Sequence, residues 1–175
     1  MGETNGRRTF LLAAGATAVL GLGAAAATLG VPGTPWRGFL APAATVADGL
    51  PPVFTGKTEG VAINGYDTVA YFTEAAAREG SPEHVYRWRG VEWRFVSDAN
   101  RTAFAADPER YAPQYRGYCA FAMARGNAVR TEPEAWSVVD GKLYLNYDLP
   151  IRERWLGEAN DFIAAADGHW RKLAE

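Results

Sequence analysis

The sequence predicts an α+β fold, with a small antiparallel sheet built from hairpins and packed against a C-terminal helix and short helices. Two-residue turn signals at Arg89–Gly90 and Asp140–Gly141 each separate two short runs of strand-forming residues, as expected for two hairpins, and apolar and polar residues alternate over Val91–Phe95. Apolar residues then recur at helical spacing over Ile151–Trp170. Strands followed by a closing helix are typical of α+β layer packing.

The composition of the chain excludes several classes of function. Its 175 residues leave room for one domain and a leader. The net charge is −2 at pH 7, and no basic run follows residue 47. Nucleic acid is therefore not an expected partner, because a phosphate-binding surface needs clustered cations. Cys119 is the only cysteine, which excludes an internal disulfide and a metal site built from cysteines alone.

Residues 1–47 resemble a twin-arginine (Tat) export signal. The motif Arg7–Leu11 contains two arginines followed by Thr, Phe and Leu, and Leu11–Pro35 is an uncharged run rich in Gly and Ala. The signal predicts the Tat translocase as a partner during export and a periplasmic or other extracytoplasmic location. The run is long enough to span a bilayer, so a membrane anchor formed by an uncleaved leader is the alternative. Residues 48–58 are predicted to be a linker, and 59–175 the domain.

Two hairpins are predicted in the first half of the domain. Gly60–Ile63 and Val69–Phe72 are short runs of β-forming residues, with a strong turn signal at Asn64–Gly65 between them. His84–Trp88 and Val91–Phe95 form a clearer hairpin, because alternate residues of its second strand are large and apolar.

Two short helices are predicted to follow this hairpin. Ser97 is the expected N-cap of a helix that runs through Phe104 and ends near Asp107. Pro108–Tyr111 is predicted to form a second turn of helix, and Pro113 ends it because the residue before a proline is pushed out of helical geometry.

The stretch Tyr115–Gly126 is predicted to be a loop that leads into a short helix at Ala120–Ala124, with Cys119 near the first helical turn. Glu134–Val139 and Lys142–Asn146 then form another hairpin. No internal repeat is apparent in the domain. The last segment is predicted to be a single helix, whose apolar stripe comprises Ile151, Trp155, Ala159, Phe162, Ile163, Ala166 and Trp170.

Gly65–Phe72, Phe95–Ser97, Phe104–Tyr111 and Gly117–Cys119 are four separated motifs. In this order they resemble the YHS-domain family, and the closer match is its exported branch, the YHS domain-containing (seleno)proteins. The resemblance covers roughly residues 58–172. It implies the scaffold of that family, with its Phe-x-Ser helix start and its helix end at Asp-Pro. The resemblance also implies that some relatives in the exported branch have a selenocysteine at the position of Cys119.

The metal site of the family does not follow from this resemblance. The better-known YHS domains resemble small metal-binding modules and have three cysteines at the positions that match Ala70, Val96 and Asn100 of this chain. All three thiols are missing, so the soft-metal site of the family is not expected.

Cys119 is the predicted catalytic residue of a thiol-based redox function, supported by Tyr118, Tyr115 and Arg116. A position in the first turn of a helix would lower the pKa of the thiol, and Arg116 would add to this effect. The two tyrosines would donate hydrogen bonds to a thiolate or an oxidised sulfur. An external thiol or disulfide partner would complete the cycle, since the chain has no second cysteine. The alternative is an inert, buried cysteine.

The rival hypothesis is a non-catalytic module that binds a metal ion or a small ligand. Cys119, His84 and Asp67 could hold copper or zinc, although their spacing gives no support for such a site. Asp67 is equally well explained as a turn residue that bonds local backbone. A third hypothesis is an accessory subunit of an exported complex. Four tryptophans are predicted to lie in the core, or else to line a ligand pocket: Trp88, Trp93, Trp136 and Trp155.

Overall fold

The computed structural model describes residues 50–174 of the chain. The predicted leader and its Tat signal (residues 1–47) lie outside the described residues. No helix in the described part is long and apolar enough to cross a membrane. The elements of this part are β1 (Ser81–Trp88), β2 (Val91–Phe95), β3 (Glu132–Val139), β4 (Lys142–Asn146), α1 (Ala70–Thr73), α2 (Asp98–Ala106), α3 (Pro108–Tyr111), α4 (Ala120–Met123), α5 (Leu149–Leu156) and α6 (Ala159–Ala174).

The α+β prediction is confirmed, with two small antiparallel sheets of two strands each. Strand β1 pairs with β2, and β3 pairs with β4, so both clearly predicted hairpins are present. Each hairpin turns through a glycine with positive φ, Gly90 or Gly141. Each also contains a register shift in its first strand, before Val85 in β1 and before Trp136 in β3. Such bulges bend a hairpin and increase its twist.

The backbone contains an internal repeat, whereas the sequence predicts none. Residues 62–106 form a first unit, which comprises a left-handed turn at Ala62–Gly65, α1, the β1–β2 hairpin and α2. Residues 114–156 form a second unit with the same order, which comprises a left-handed turn at Gln114–Gly117, α4, the β3–β4 hairpin and α5. In each left-handed turn, the last three residues have positive φ. The two units have different residues at most matching positions, so the repeat leaves little trace in the sequence.

Two strands predicted near the start of the domain do not form. Val69–Phe72 is predicted to be a strand but lies at α1. The carboxylate of Asp67 accepts hydrogen bonds from N–H groups at the start of this helix, which have no partners within the helix itself. Gly60–Ile63 contributes only an isolated bridge, between Val61 and Glu92.

The predicted helix starts are confirmed, but the last helix is divided. Ser97 caps α2 by accepting a hydrogen bond from the N–H of Asn100 at 3.2 Å, and α3 follows as predicted. The C-terminal segment is predicted to be one helix and forms two, α5 and α6, with Gly157 as the C-cap of α5. Asp148 starts α5 by accepting from the N–H of Ile151 at 2.8 Å.

Strand β4 lies between two apolar cores and is buried on both faces. Leu143 and Leu145 belong to the first core, while Tyr144 belongs to the second. The alternation of side chains along a strand sends successive residues to opposite faces, which explains this division. All four tryptophans predicted to be in the core lie in or against these two cores. Trp93 and Trp155 are fully buried, whereas Trp88 and Trp136 are partly buried and pack against the first core.

The two left-handed turns are joined through Phe54. The N–H of Phe54 donates to the carbonyl of Arg116 at 2.8 Å, and its carbonyl accepts from the N–H of Ile63 at 3.0 Å. A Cβ atom at Gly117 would lie 2.4 Å from Cδ1 of Ile63, so the turns are in close contact. Val53 is 2% exposed. Val53 and Phe54, which the sequence places in a linker, therefore pack as part of the domain.

Substitution at Gly117 tests this contact. We expect Gly117→Ala to lower the free energy of unfolding by about 1–3 kcal/mol more than Gly90→Ala does, because only the first substitution forces a methyl group into Ile63. Both glycines have similar positive φ, +85° and +79°, and no atom lies within 4 Å of a Cβ built at Gly90. Urea denaturation measures both losses. Equal losses would show that the turns do not depend on close contact.

Candidate functional site

Asp67 and Cys119 occupy the same position in the two units. Each stands two residues after the glycine that ends a left-handed turn, Gly65 or Gly117. The N–H of Asp67 donates to a carbonyl at 2.8 Å, and the N–H of Cys119 donates to the carbonyl of Val129 at 3.0 Å. The left-handed turns thus place two chemically different side chains in matching backbone surroundings.

Asp67 is fully buried and all its acceptor capacity is used by the protein. Its Oδ1 accepts from the N–H groups of Val69 at 2.8 Å and Ala70 at 3.2 Å. Its Oδ2 accepts from the N–H of Val96 at 2.9 Å and from Nδ2 of Asn100 at 2.7 Å. The prediction that Asp67 bonds local backbone is confirmed. The three positions where the family resemblance would place thiols all donate to this carboxylate.

Cys119 is the N-cap residue of α4 and is 1% exposed. Its side chain makes no capping hydrogen bond to α4, but the backbone N–H groups of Ala122, Tyr147 and Phe121 act to lower the pKa of the thiol. Its Sγ lies 3.8 Å from Oδ1 of Asn146, which also accepts from the N–H of Phe121 at 3.2 Å. The sulfur therefore lies among N–H groups of α4 and of Tyr147, and its thiol faces the acceptor oxygen of Asn146.

The amides around the two side chains come from corresponding positions of the repeat. In each unit, two N–H groups belong to the second and third residues after Asp67 or Cys119. A third N–H group belongs to the residue that follows the second strand of the hairpin. We call these arrangements the first cradle and the second cradle. The first cradle consists of the N–H groups of Val69, Ala70 and Val96, and the second of those of Phe121, Ala122 and Tyr147.

Burial raises the pKa of the Cys119 thiol to about 11, well above its ordinary value. The second cradle acts in the opposite direction, and the carboxylate of Asp148 adds to the increase. At pH 7 about one molecule in 10⁴ therefore has a thiolate. The prediction that the helix lowers this pKa is wrong, because α4 has a single turn and the loss of hydration outweighs the nearby amides.

The other predicted catalytic residues contact α6 and Phe54 rather than the sulfur. The hydroxyl of Tyr115 donates to Oδ1 of Asp167 at 2.8 Å, and burial raises the pKa of this tyrosine. The guanidinium of Arg116 lies 5.2 Å from the ring centroid of Trp170. The ring of Tyr118 packs against Phe54, and burial raises its pKa. Within residues 50–174, none of these three side chains hydrogen bonds to Cys119.

The residues proposed as metal ligands are not assembled into a site. Nδ1 of His84 lies 3.3 Å from Oδ1 of Asp98 at the surface, and the oxygens of Asp67 are occupied by backbone and amide donors. Among the described residues, no group of three or more His, Cys, Asp or Glu side chains is arranged to hold a metal ion. The geometry therefore gives no support for copper or zinc bound by Cys119, His84 and Asp67.

Asn146 is a member of the site that the sequence does not indicate. It is fully buried, and its Nδ2 has no hydrogen-bond partner among the described residues. The N–H of Phe121 requires an acceptor, which identifies the atom that faces it and Cys119 as Oδ1 and makes Nδ2 the amide atom without a partner. The sequence signal that could have identified Asn146 is its position directly after the apolar run Leu143–Leu145.

A concave region lies apart from Cys119, between the β1–β2 turn, the second left-handed turn and α6. Its volume is about 190 Å³. Arg89 lies on one side, 4.4 Å from the ring centroid of Trp88 and 2.7 Å from a carboxylate oxygen of Glu109. Arg116 and Trp170 lie on the other side. In the described part of the chain, no carboxylate oxygen lies within the ion-pair distance of Arg116.

Comparisons with known proteins do not identify the chain. No protein-family model matches it, and no curated protein or solved structure matches it significantly. The resemblance to the YHS-domain family therefore stays a prediction that rests on four sequence motifs.

Removing the negative charge of Asp67 tests the first cradle. We expect Asp67→Asn to lower the free energy of unfolding by about 3 kcal/mol, because an amide NH₂ would then face buried N–H donors. Asp98→Asn is the matched control, since the side chain of Asp98 is 71% exposed and pairs with Arg101 at the surface. In guanidinium denaturation the control should lose far less stability than Asp67→Asn, because water screens an exposed ion pair. Similar losses for both variants would contradict the role given to Asp67.

Proposed function

We propose that this protein is an exported, YHS-like thiol-redox protein in which Cys119 is the redox-active residue. The observation that supports this function best is the second cradle, because backbone amides in this arrangement hold a full carboxylate in the first unit. Such amides favour a negative charge that develops when a thiol ionises or is oxidised. Export would place the thiol in an oxidising environment.

The proposed reaction begins with deprotonation of the buried thiol. The thiolate sulfur attacks one oxygen of a peroxide, so that an S–O bond forms and the O–O bond breaks. The sulfur loses two electrons and becomes a sulfenic acid, while the remaining peroxide oxygen leaves as hydroxide or alkoxide and takes up a proton. An external thiol then replaces the sulfenic oxygen, which leaves as water, and a second thiol releases reduced Cys119 together with an external disulfide.

Burial of Cys119 makes this reaction slow in the closed structure. Ionisation is rare at neutral pH because the pKa of the thiol is raised to about 11, and the sulfur is almost fully covered. Oxidant therefore reaches it only when α4 or the second left-handed turn opens locally. This combination fits a protein that responds to sustained oxidation better than one that turns over rapidly.

The concave region beside Arg116 favours a second candidate function, the binding of a small organic anion. The guanidinium of Arg116 has no carboxylate partner in the described residues and lies over the ring of Trp170. A planar carboxylate could pair with the guanidinium while its apolar part contacts the aromatic walls. This binding would not involve Cys119.

The first function predicts a slow but measurable reaction of Cys119. At pH 8 a thiol-specific electrophile should label the folded protein roughly 100-fold more slowly than the unfolded protein, and the rate should rise with pH without a plateau below pH 10. Cys119→Ser provides the blank. Peroxide should add one oxygen atom to Cys119 in the folded protein, and an added thiol should remove it. No oxygen on Cys119 after prolonged treatment of folded protein would refute the redox function.

The second function predicts that Arg116 controls affinity for small carboxylates. Benzoate should quench the tryptophan fluorescence of the protein, and Arg116→Gln should weaken its binding at least about tenfold by loss of the charged hydrogen bonds. Arg101→Gln on α2 is the control, because Arg101 already pairs with Asp98 and lies outside the residues that line the concave region. Equal affinity of both variants would exclude this site.

A further inference from the structure

We propose that Cys119 is a site of oxidation to a sulfinate, and that the second cradle holds this sulfinate as the first cradle holds the carboxylate of Asp67. The proposal rests on the proposed redox function of Cys119 and adds the identity of its final oxidised state. It derives from the repeat, because one unit already contains the anion that the other unit would acquire.

A cysteine sulfinate and an aspartate carboxylate have the same connectivity. In both, one negative charge is shared by two oxygens on the atom that is bonded to Cβ. The first cradle shows how such a group is bound. One oxygen of Asp67 takes the N–H groups of Val69 and Ala70, and the other takes the N–H of Val96 and the amide of Asn100.

The second cradle offers the same kinds of donor. Its N–H groups come from Phe121, Ala122 and Tyr147. In the reduced protein the side chain of Asn146 turns its Oδ1 toward the sulfur and the N–H of Phe121, and a half-turn of this amide would present its NH₂ to the sulfinate instead. In the reduced protein Nδ2 of Asn146 is buried and has no partner among the described residues. A sulfur atom is a weak acceptor, whereas the two oxygens of a sulfinate can accept four hydrogen bonds.

The oxidation is a two-electron step with a peroxide as co-reactant. A second molecule of hydrogen peroxide or of an organic hydroperoxide transfers one oxygen atom to the sulfenate of Cys119. A second S–O bond forms, the O–O bond of the peroxide breaks, the sulfur loses two electrons, and the peroxide is reduced to water or an alcohol. Thiols do not reverse this step, so it ends the redox cycle.

Cys119→Asp places a permanent carboxylate in the second cradle and tests it directly. Cys119→Asn is the matched control, with nearly the same shape and no charge. We expect the aspartate variant of the full chain to melt at least about 4 °C above the asparagine variant, since only a carboxylate accepts from every donor of the cradle. An aspartate variant that melts below the asparagine variant would overturn the proposal.

Peroxide-treated wild-type protein supplies the second measurement. Mass spectrometry should find a product with two added oxygen atoms on Cys119, and this product should melt no lower than the reduced protein. If neither Cys119→Asp nor Cys119→Asn folds, the melting temperatures of the doubly oxidised and the reduced wild-type protein test the proposal on their own. A doubly oxidised product that melts below the reduced protein, or the absence of that product, overturns the proposal.

The same treatment separates this proposal from the redox function. If Cys119 gains one oxygen atom that thiols remove, but never gains a stable second one, the redox function stands and the sulfinate proposal fails. If Cys119 gains no oxygen at all in folded protein, both fail, whatever the aspartate variant shows about the cradle.

Discussion

Both cradles depend on three consecutive residues with positive φ, which stand just before them at 63–65 and 115–117. A left-handed conformation is costly for side chains other than glycine, and especially for a β-branched residue such as Ile63. The buried contact of Ile63 with Gly117 and the two hydrogen bonds of Phe54 offset this cost. The turns then direct Asp67 and Cys119 toward the amides that follow them.

The two cradles differ in how well acceptor and donors are matched. The carboxylate of Asp67 satisfies four donors with two oxygens, and it ties α1, the end of β2 and α2 together. The thiol of Cys119 meets similar N–H groups with one weak acceptor and itself donates to Oδ1 of Asn146, whose Nδ2 has no hydrogen-bond partner within residues 50–174. This mismatch, and not a low pKa, is what distinguishes Cys119 from an ordinary buried cysteine.

The sequence predicted those parts of the fold that depend on local patterns. The alternation of Val91, Trp93 and Phe95 and the cap at Ser97 are local, and both are present in the structure. The segment that became α1 was missed because its apolar run resembles a strand, while the carboxylate that caps it is also held from Val96, far along the chain. The surroundings of Cys119 were not predicted, because Asn146 reaches it from the end of β4.

Because β4 is buried on both faces, the first core cannot be completed during synthesis until β4 has been made. Leu143 and Leu145 close the first core, yet they follow β2 by about fifty residues. At the usual speed of translation, the first unit leaves the ribosome several seconds before it can close. A nascent chain that ends before β4 lacks Leu143 and Leu145, so its first core stays incomplete and leaves apolar surface in contact with water during that interval.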